Sequence, residues 1–212
     1  MSNSKISISV REELMAHIDD YLSEAQLIID KIDRSQIEKI IQQLLTIRQQ
    51  KGRLFFLGVG GSAANASHAV NDFRKLADFE AYTPADNVSE LTARTNDEGW
   101  HTIFEEWLRG SRLKAEDGVF VLSVGGGDAM RNISTNLVFA LRYAKSVNAK
   151  IVGIVGRNGG FAATVSDACL IIPNVNPVNV TPHTEAFQGV ILHLIASDPR
   201  IKKIENKWES VK

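Results

Sequence analysis

Leu54-Phe55-Phe56-Leu57-Gly58-Val59-Gly60-Gly61-Ser62 is the stretch that decides the fold. Its unbroken apolar run reads as a strand buried on both faces, and the glycines after it read as a tight turn. Ala63-Ala64-Asn65-Ala66-Ser67-His68-Ala69-Val70-Asn71-Asp72 follows at once with helix-forming composition. A strand, a glycine loop ending in a hydroxyl and a helix start suit an anion, because loop amides and helix N-terminus converge on one spot. The design recurs at Val121-Leu122-Ser123-Val124-Gly125-Gly126-Gly127-Asp128, with a helix predicted over 129–146. Two readings are open: the glycines only make tight turns, or both loops face one crevice and bind a small, polar, anionic ligand.

Outward from these loops the pattern repeats. Strands are predicted at 54–58, 80–83, 119–123, 151–155 and 169–173, and helices at 63–76, 89–95, 103–113, 129–146 and 186–196. This alternation predicts an α/β domain over 53–212, built on a doubly wound, mainly parallel five-stranded sheet. Residues 1–52 read as an N-terminal helical extension. Leu14, Ile18, Leu22, Ala25, Ile28 and Ile29, then Ile37, Ile40, Ile41, Leu44 and Leu45, recur at spacings of three and four. Asp33 or Ser35 is placed to cap the second helix. These helices either bundle with a neighbouring subunit or cover one face of the sheet.

With 24 basic and 25 acidic residues the net charge is -1, so no overall field recruits nucleic acid or an anionic membrane. The single cysteine, Cys169, lies in an apolar run and reads as a core residue suited to a reducing compartment. No signal pattern and no long apolar span is seen, so a cytoplasmic protein without a membrane partner is expected. Trp100, Trp107 and Trp208 read as packing residues, and His101 and His183 as loop histidines near the crevice.

Gly58-Val59-Gly60-Gly61-Ser62 with His68 and Asp72, then Thr95-Asn96-Asp97-Glu98-Gly99, the loop at Ser123, and Glu185 with His193 together resemble the sugar isomerase (SIS) domain family. The resemblance is to its phosphoheptose isomerase branch and runs over nearly the whole chain. It implies a flavodoxin-like fold, a homo-oligomer (a tetramer) with an intersubunit site, and conversion of sedoheptulose 7-phosphate to D-glycero-D-manno-heptose 7-phosphate. It also implies that Gly60, Gly61, Ser62, Asn96, Asp97, Ser123, Gly125, Gly126, Gly127, Asp128 and Glu185 bind the sugar phosphate. His68, Asp72, Glu185 and His193 take the positions of a metal site for zinc or another divalent ion; Asp72 takes the base position and His193 that of the acid. The chain departs from the family pattern where Val59 replaces asparagine, Asp72 glutamate and Glu185 glutamine. Val124, Gly125 and Gly127-Asp128 stand where the family carries Ser and Thr hydroxyls.

The spacing bears on this set. His68 and Asp72 share a helix face. Glu185 and His193 are eight apart, a rise of about 12 Å on a continuous helix. Either the helix begins after Glu185, or different subunits supply the two residues; Pro182 and Thr184 predict a start near Thr184. Asp128 at a helix start would cap the helix and compete with a phosphate for its dipole, with Arg131 one turn on to offset the charge. A phosphate is then held by backbone amides with Asp128 turned away, or the ligand offers a hydroxyl or amine there. The leading function is a metal-assisted aldose–ketose isomerase. The alternative is a non-catalytic SIS protein binding a sugar phosphate or a protein partner. Ser62-Ala63-Ala64-Asn65-Ala66 also resembles the bacterial protein that associates with the replication initiator.

Overall fold

The computed structural model describes residues 8–205, with side chains from Met15 onward, so Trp208 lies outside the described residues. Two helices lead, α1 (Ile8–Lys31) and α2 (Arg34–Gln49). Asp33 separates them and caps α2, its carboxylate accepting the Ser35 N–H at 2.9 Å. There follow β1 (Leu54–Leu57), α3 (Gly61–Lys75), β2 (Ala81–Tyr82), a 3-10 turn (Pro84–Asp86), α4 (Val88–Asp97) and α5 (Ile103–Gly110). The chain continues through β3 (Gly118–Ser123), α6 (Thr135–Ser146), β4 (Lys150–Val155), α7 (Gly160–Val165), β5 (Ala168–Ile171) and α8 (Val180–Ser197).

The strands form one sheet in the order β2-β1-β3-β4-β5, and every pairing is parallel. Successive strand residues face opposite sides, so the run Leu54 to Leu57 feeds two cores. Leu54 and Phe56 join Phe120, Leu122, Ile154 and Leu170 on the face covered by α2, α3 and α8. Phe55 and Leu57 join Val119, Val121, Ile151 and Val155 under α5, α6 and α7. Aromatic contacts bind each layer: Phe56 stacks on Phe120 at 5.1 Å, and Trp107 meets Phe55 edge-on at 5.5 Å, as a packing tryptophan does. At the amino ends of β1 and β3 the fully buried Asp117 accepts from Arg53 N at 2.9 Å and pairs with its guanidinium at 2.8 Å, fixing the register from below.

Helix α2 buries Ile37, Ile40, Ile41, Leu44 and Ile47 and so covers the sheet. Helix α1 buries Ile28 but leaves Met15, Ile18, Leu22 and Ile29 exposed. No helix among the described residues is long and apolar enough to cross a membrane.

Two helix starts differ from expectation. The helix predicted from residue 129 begins at Thr135, because Asp128 and Ile133 bond to each other in both directions, at 2.8 and 3.0 Å, and close a small loop first. Asn132 and Ser134 take left-handed backbone angles to make that closure. Helix α8 starts at Val180 rather than near Thr184; Pro182 falls in its first turn, where no N–H is needed. Short α7 and the 3-10 turn carry too few residues to show a period in the sequence.

Candidate active site

Strands β1 and β3 are neighbours at the point where the strand order reverses, and in open α/β sheets a crevice opens there beyond the carboxyl ends. A cavity of about 740 Å³ occupies this place. Val59 lines it from the loop after β1 and Ser62 from the first turn of α3. Ser123 lines it from the end of β3, Val124, Gly125, Gly127 and Asp128 from the loop that follows, and Arg157 and Asn158 from a third loop after β4.

That third loop, Gly156-Arg157-Asn158-Gly159-Gly160, was missed in the sequence, although it repeats the strand–glycine–helix design. It is locked to the second. The Gly156 N–H donates to the Ser123 and Val124 carbonyls at 3.1 and 3.2 Å, Phe161 N–H to Gly127 O at 2.8 Å, and Ala162 N–H to Gly126 O at 2.9 Å. Gly126 sits at φ 69°, and a Cβ there would overlap the Gly159 carbonyl. Only glycine allows this approach.

Within the second loop the Ser123 hydroxyl accepts the Gly126 N–H at 3.0 Å. Asp128 does not cap α6. Its carboxylate accepts the Met130 and Arg131 N–H groups, each at 2.9 Å, and pairs with the Arg131 guanidinium at 2.7 Å. The Arg131 N–H and then its side chain hold the Asp128 carboxyl below the usual carboxylate range. Ser134 takes the N-cap position of α6 at φ 47°, its hydroxyl makes no capping bond, and it lines the cavity. Sequence reasoning missed Ser134 because the closed loop 128–133 separates it from the glycines.

The first loop turns at Gly60, φ 64°, into α3. The buried Ser62 hydroxyl donates to Gln188 Oε1 at 3.0 Å, and Asn65 Nδ2 donates to the same oxygen at 3.0 Å and to Glu185 O at 2.9 Å. Gln188 thus ties α8 to α3; a lone amide in an apolar helix gives no motif to find it by. The Glu185 carboxylate packs against Gly61 so closely that a Cβ on Gly61 would overlap it.

Two turns into α3, His68, Asp72 and His193 form one cluster. Asp72 Oδ2 lies 3.2 Å from His68 Nε2 and 3.3 Å from His193 Nε2, and the two Nε2 atoms are 3.0 Å apart. Asp72 is 6 % exposed in its side chain against 58 % and 60 % for the imidazoles, so the cluster has a buried anion and an open flank. Asn71 Nδ2 donates to Asp72 Oδ1 at 3.0 Å and fixes the carboxylate. Glu185 is not brought to this cluster within one chain: α8 runs unbroken from Glu185 to His193, a rise of about 12 Å.

Other expected residues stay outside the crevice. Asn96 and Asp97 are exposed at the end of α4 and bond to each other at 2.7 Å. His183 is buried, bonded to Glu24 at 2.8 Å and stacked on Tyr21 at 4.3 Å. His101 packs on Phe139, ring centroids 5.6 Å apart.

The architecture and cluster define a doubly wound α/β protein with a polar crevice at its switch point and a three-residue group of metal-ligand type, two residues from the first crossover helix α3 and one from α8. The family model described as SIS domain matches residues 20–156, and the chain belongs to the SIS domain family, in its phosphoheptose isomerase branch. The phosphoheptose isomerase of Syntrophotalea carbinolica is 32% identical over 187 residues, which cover 84% of this chain and 89% of the relative. That of Aneurinibacillus thermoaerophilus is 25% identical over 209 residues, covering 96% and 100%. The solved phosphoheptose isomerase structure from Neisseria gonorrhoeae shares the fold with a TM-score of 0.74 at 22% identity, covering 88% of this chain and 96% of that one.

Proposed function

We propose that the chain is a cytoplasmic sugar-phosphate isomerase converting sedoheptulose 7-phosphate to D-glycero-D-manno-heptose 7-phosphate by metal-assisted enediol proton transfer. The His68–Asp72–His193 triangle carries this reading. Four N/O ligands placed tetrahedrally around zinc at about 2.05 Å stand about 3.3 Å apart. The three ligand atoms here stand 3.2, 3.3 and 3.0 Å apart. Two imidazole nitrogens and one carboxylate oxygen are donors that zinc accepts, and three protein ligands with an open side are the pattern of a catalytic rather than a structural site. His68, Asp72 and His193 would hold a divalent ion, which would supply polarisation of the sugar's oxygens in the proton transfer.

Asp72 takes the proton from the carbon beside the carbonyl, and His193 serves the opposite side as acid. The phosphate lies in the cavity on the amides of the second loop, with the Ser123 and Ser134 hydroxyls and the start of α6 facing it. The inward bonds of Asp128 favour this arrangement over a hydroxyl or amine ligand, since its carboxylate is already satisfied by its own loop. Glu185 joins a metal site only from a second copy of the chain, as an intersubunit site in a homotetramer allows. The exposed apolar face of α1 suits such a contact, and Asn96 and Asp97 serve a neighbouring copy's substrate in the same reading.

The test is proton NMR of zinc-loaded protein with sedoheptulose 7-phosphate in D₂O. Aldose resonances with deuterium at C2 are expected. Absence of both product and exchange with zinc, manganese and cobalt alike rejects the isomerase, and binding of the sugar phosphate without exchange establishes the non-catalytic alternative.

A further inference from the structure

Among the described residues, three with charged side chains line the cavity: Asp128, Arg131 and Arg157. The first two cancel through their 2.7 Å ion pair. Arg157 has no hydrogen-bond or ion-pair partner among the described residues, so one uncompensated, exposed arginine lines the crevice. Its backbone is held rather than loose. Gly156, just before it, donates to two carbonyls of the second loop and packs so tightly on the Thr184 hydroxyl that a Cβ would overlap it. Asn158, just after it, accepts the Gly160 N–H at 3.3 Å through its side chain. Arg157 itself sits at φ 51°, a left-handed conformation that an arginine adopts at a cost and that surrounding structure must impose. An arginine pinned in this way over the second loop has its planar fork available for two parallel bonds to an oxyanion.

We infer that Arg157 is the specificity residue that recognises the phosphate monoester of the substrate, selecting phosphorylated over unphosphorylated sugar. The inference rests on the sugar-phosphate reading of the cavity and adds to it an unpaired cation, since Arg131 beside the second loop is spent on Asp128. The backbone amides and hydroxyls of that loop bind a neutral hydroxyl or an anion alike, whereas a guanidinium without a carboxylate partner rewards the dianion specifically.

Isothermal titration of wild type, Arg157→Gln and Arg157→Lys with sedoheptulose 7-phosphate and with sedoheptulose tests it, alongside KM and kcat. Arg157→Gln is expected to weaken the phosphorylated sugar at least about tenfold, the low end for a lost charged hydrogen bond. Affinity for sedoheptulose stays within twofold, and the kinetic loss falls on KM while kcat holds. Arg157→Lys recovers part of the loss, because the charge returns without the fork. Equal affinity of wild type and Arg157→Gln for the phosphorylated sugar overturns the role of Arg157 and leaves the sugar-phosphate reading standing. Failure of the wild type to prefer the phosphorylated sugar overturns both. An equal loss for both sugars, with a lowered melting temperature, marks Arg157 as merely structural and also overturns the inference.

Discussion

Removing His193 is the sharpest probe of the metal reading. Its side chain is 60 % exposed, so His193→Ala deletes little packing and should leave the metal-free melting temperature within about 2 °C of wild type, the surface range of about 0.5 kcal/mol. What it deletes is one corner of a triangle with edges of 3.0, 3.2 and 3.3 Å, leaving His68 and Asp72 as an i,i+4 pair. Loss of a group that merely orients a ligand costs about 10–100-fold in affinity, so loss of a ligand itself should cost at least about a hundredfold. Zinc at a hundred times the wild-type Kd stabilises the folded state by about 2.7 kcal/mol. For a chain of this size that is a rise of about 5–11 °C in Tm. At the same zinc concentration the variant stands near its own Kd, gains about 0.4 kcal/mol, and should shift by about 1–2 °C. Scanning fluorimetry of metal-stripped protein with and without zinc reads both shifts. A wild type that zinc leaves unmoved, or a His193→Ala variant that moves as far as wild type, refutes the reasoning.

Three further outcomes follow from other parts of the molecule. Gly126→Ala combines a left-handed alanine, about 1–2 kcal/mol, with a collision against Gly159, so Tm should fall by at least about 2–8 °C and sugar-phosphate affinity should drop. Gly125→Ala, whose Cβ meets open space, should keep its Tm within about 1 °C, and equal Tm losses in calorimetry would discredit the loop interlock. Burial pushes the Cys169 thiol up to about 11, so iodoacetamide should label it slowly in native protein at pH 8 and rapidly in urea; fast native labelling would contradict its packing. Bonds from Asn176, Asn179 and His183 hold Glu24 down to about 2, so its contribution to stability is full above the ordinary carboxylate range and fades as pH falls toward 2. The Tm gap between wild type and Glu24→Gln should therefore be largest near neutrality and shrink below about pH 4.5; a gap constant from pH 7 to pH 3 would show that the Glu24 bonds do not matter.

The sheet was legible because its strands advertise themselves. Phe55 and Phe56 face opposite cores, so apolar residues fill both parities, and the shortness of the run and the glycines after it mark it as a strand rather than a buried helix. The histidine–carboxylate pair at 68 and 72 was legible for a similar reason: helical spacing is enough to put both on one face. The rest of the site depends on contacts between segments far apart in the chain. Gln188 reaches Ser62 across the α3–α8 interface, a contact that no local pattern encodes. Ser134 returns to the cavity only because residues 128–133 close on themselves, and that closure consists of two backbone bonds that leave no trace in residue type. The early start of α8 was obscured by Pro182, which reads as a breaker but is tolerated in a first turn.

Among the described residues, three helices start from a glycine-rich strand end or just beyond one, and their N-termini meet different fates. At α3 the Glu185 carboxylate lies against Gly61 and already places a negative charge beside the positive end of the helix. At α7 the N–H groups of Phe161 and Ala162 are spent on the Gly127 and Gly126 carbonyls, which binds the second and third loops together. At α6 the cap residue Ser134 offers a hydroxyl that caps nothing, and Asp128, the acid nearest in sequence, is turned onto Arg131. The three loops are therefore not equivalent anion cradles. One is filled by the protein, one serves as a buttress, and the buttress fixes the loop that opens into the cavity. This division also explains how the second loop keeps its shape with Val124 and Gly125 in place of hydroxyl residues: the third loop, through Gly156 and the first turn of α7, holds it from behind.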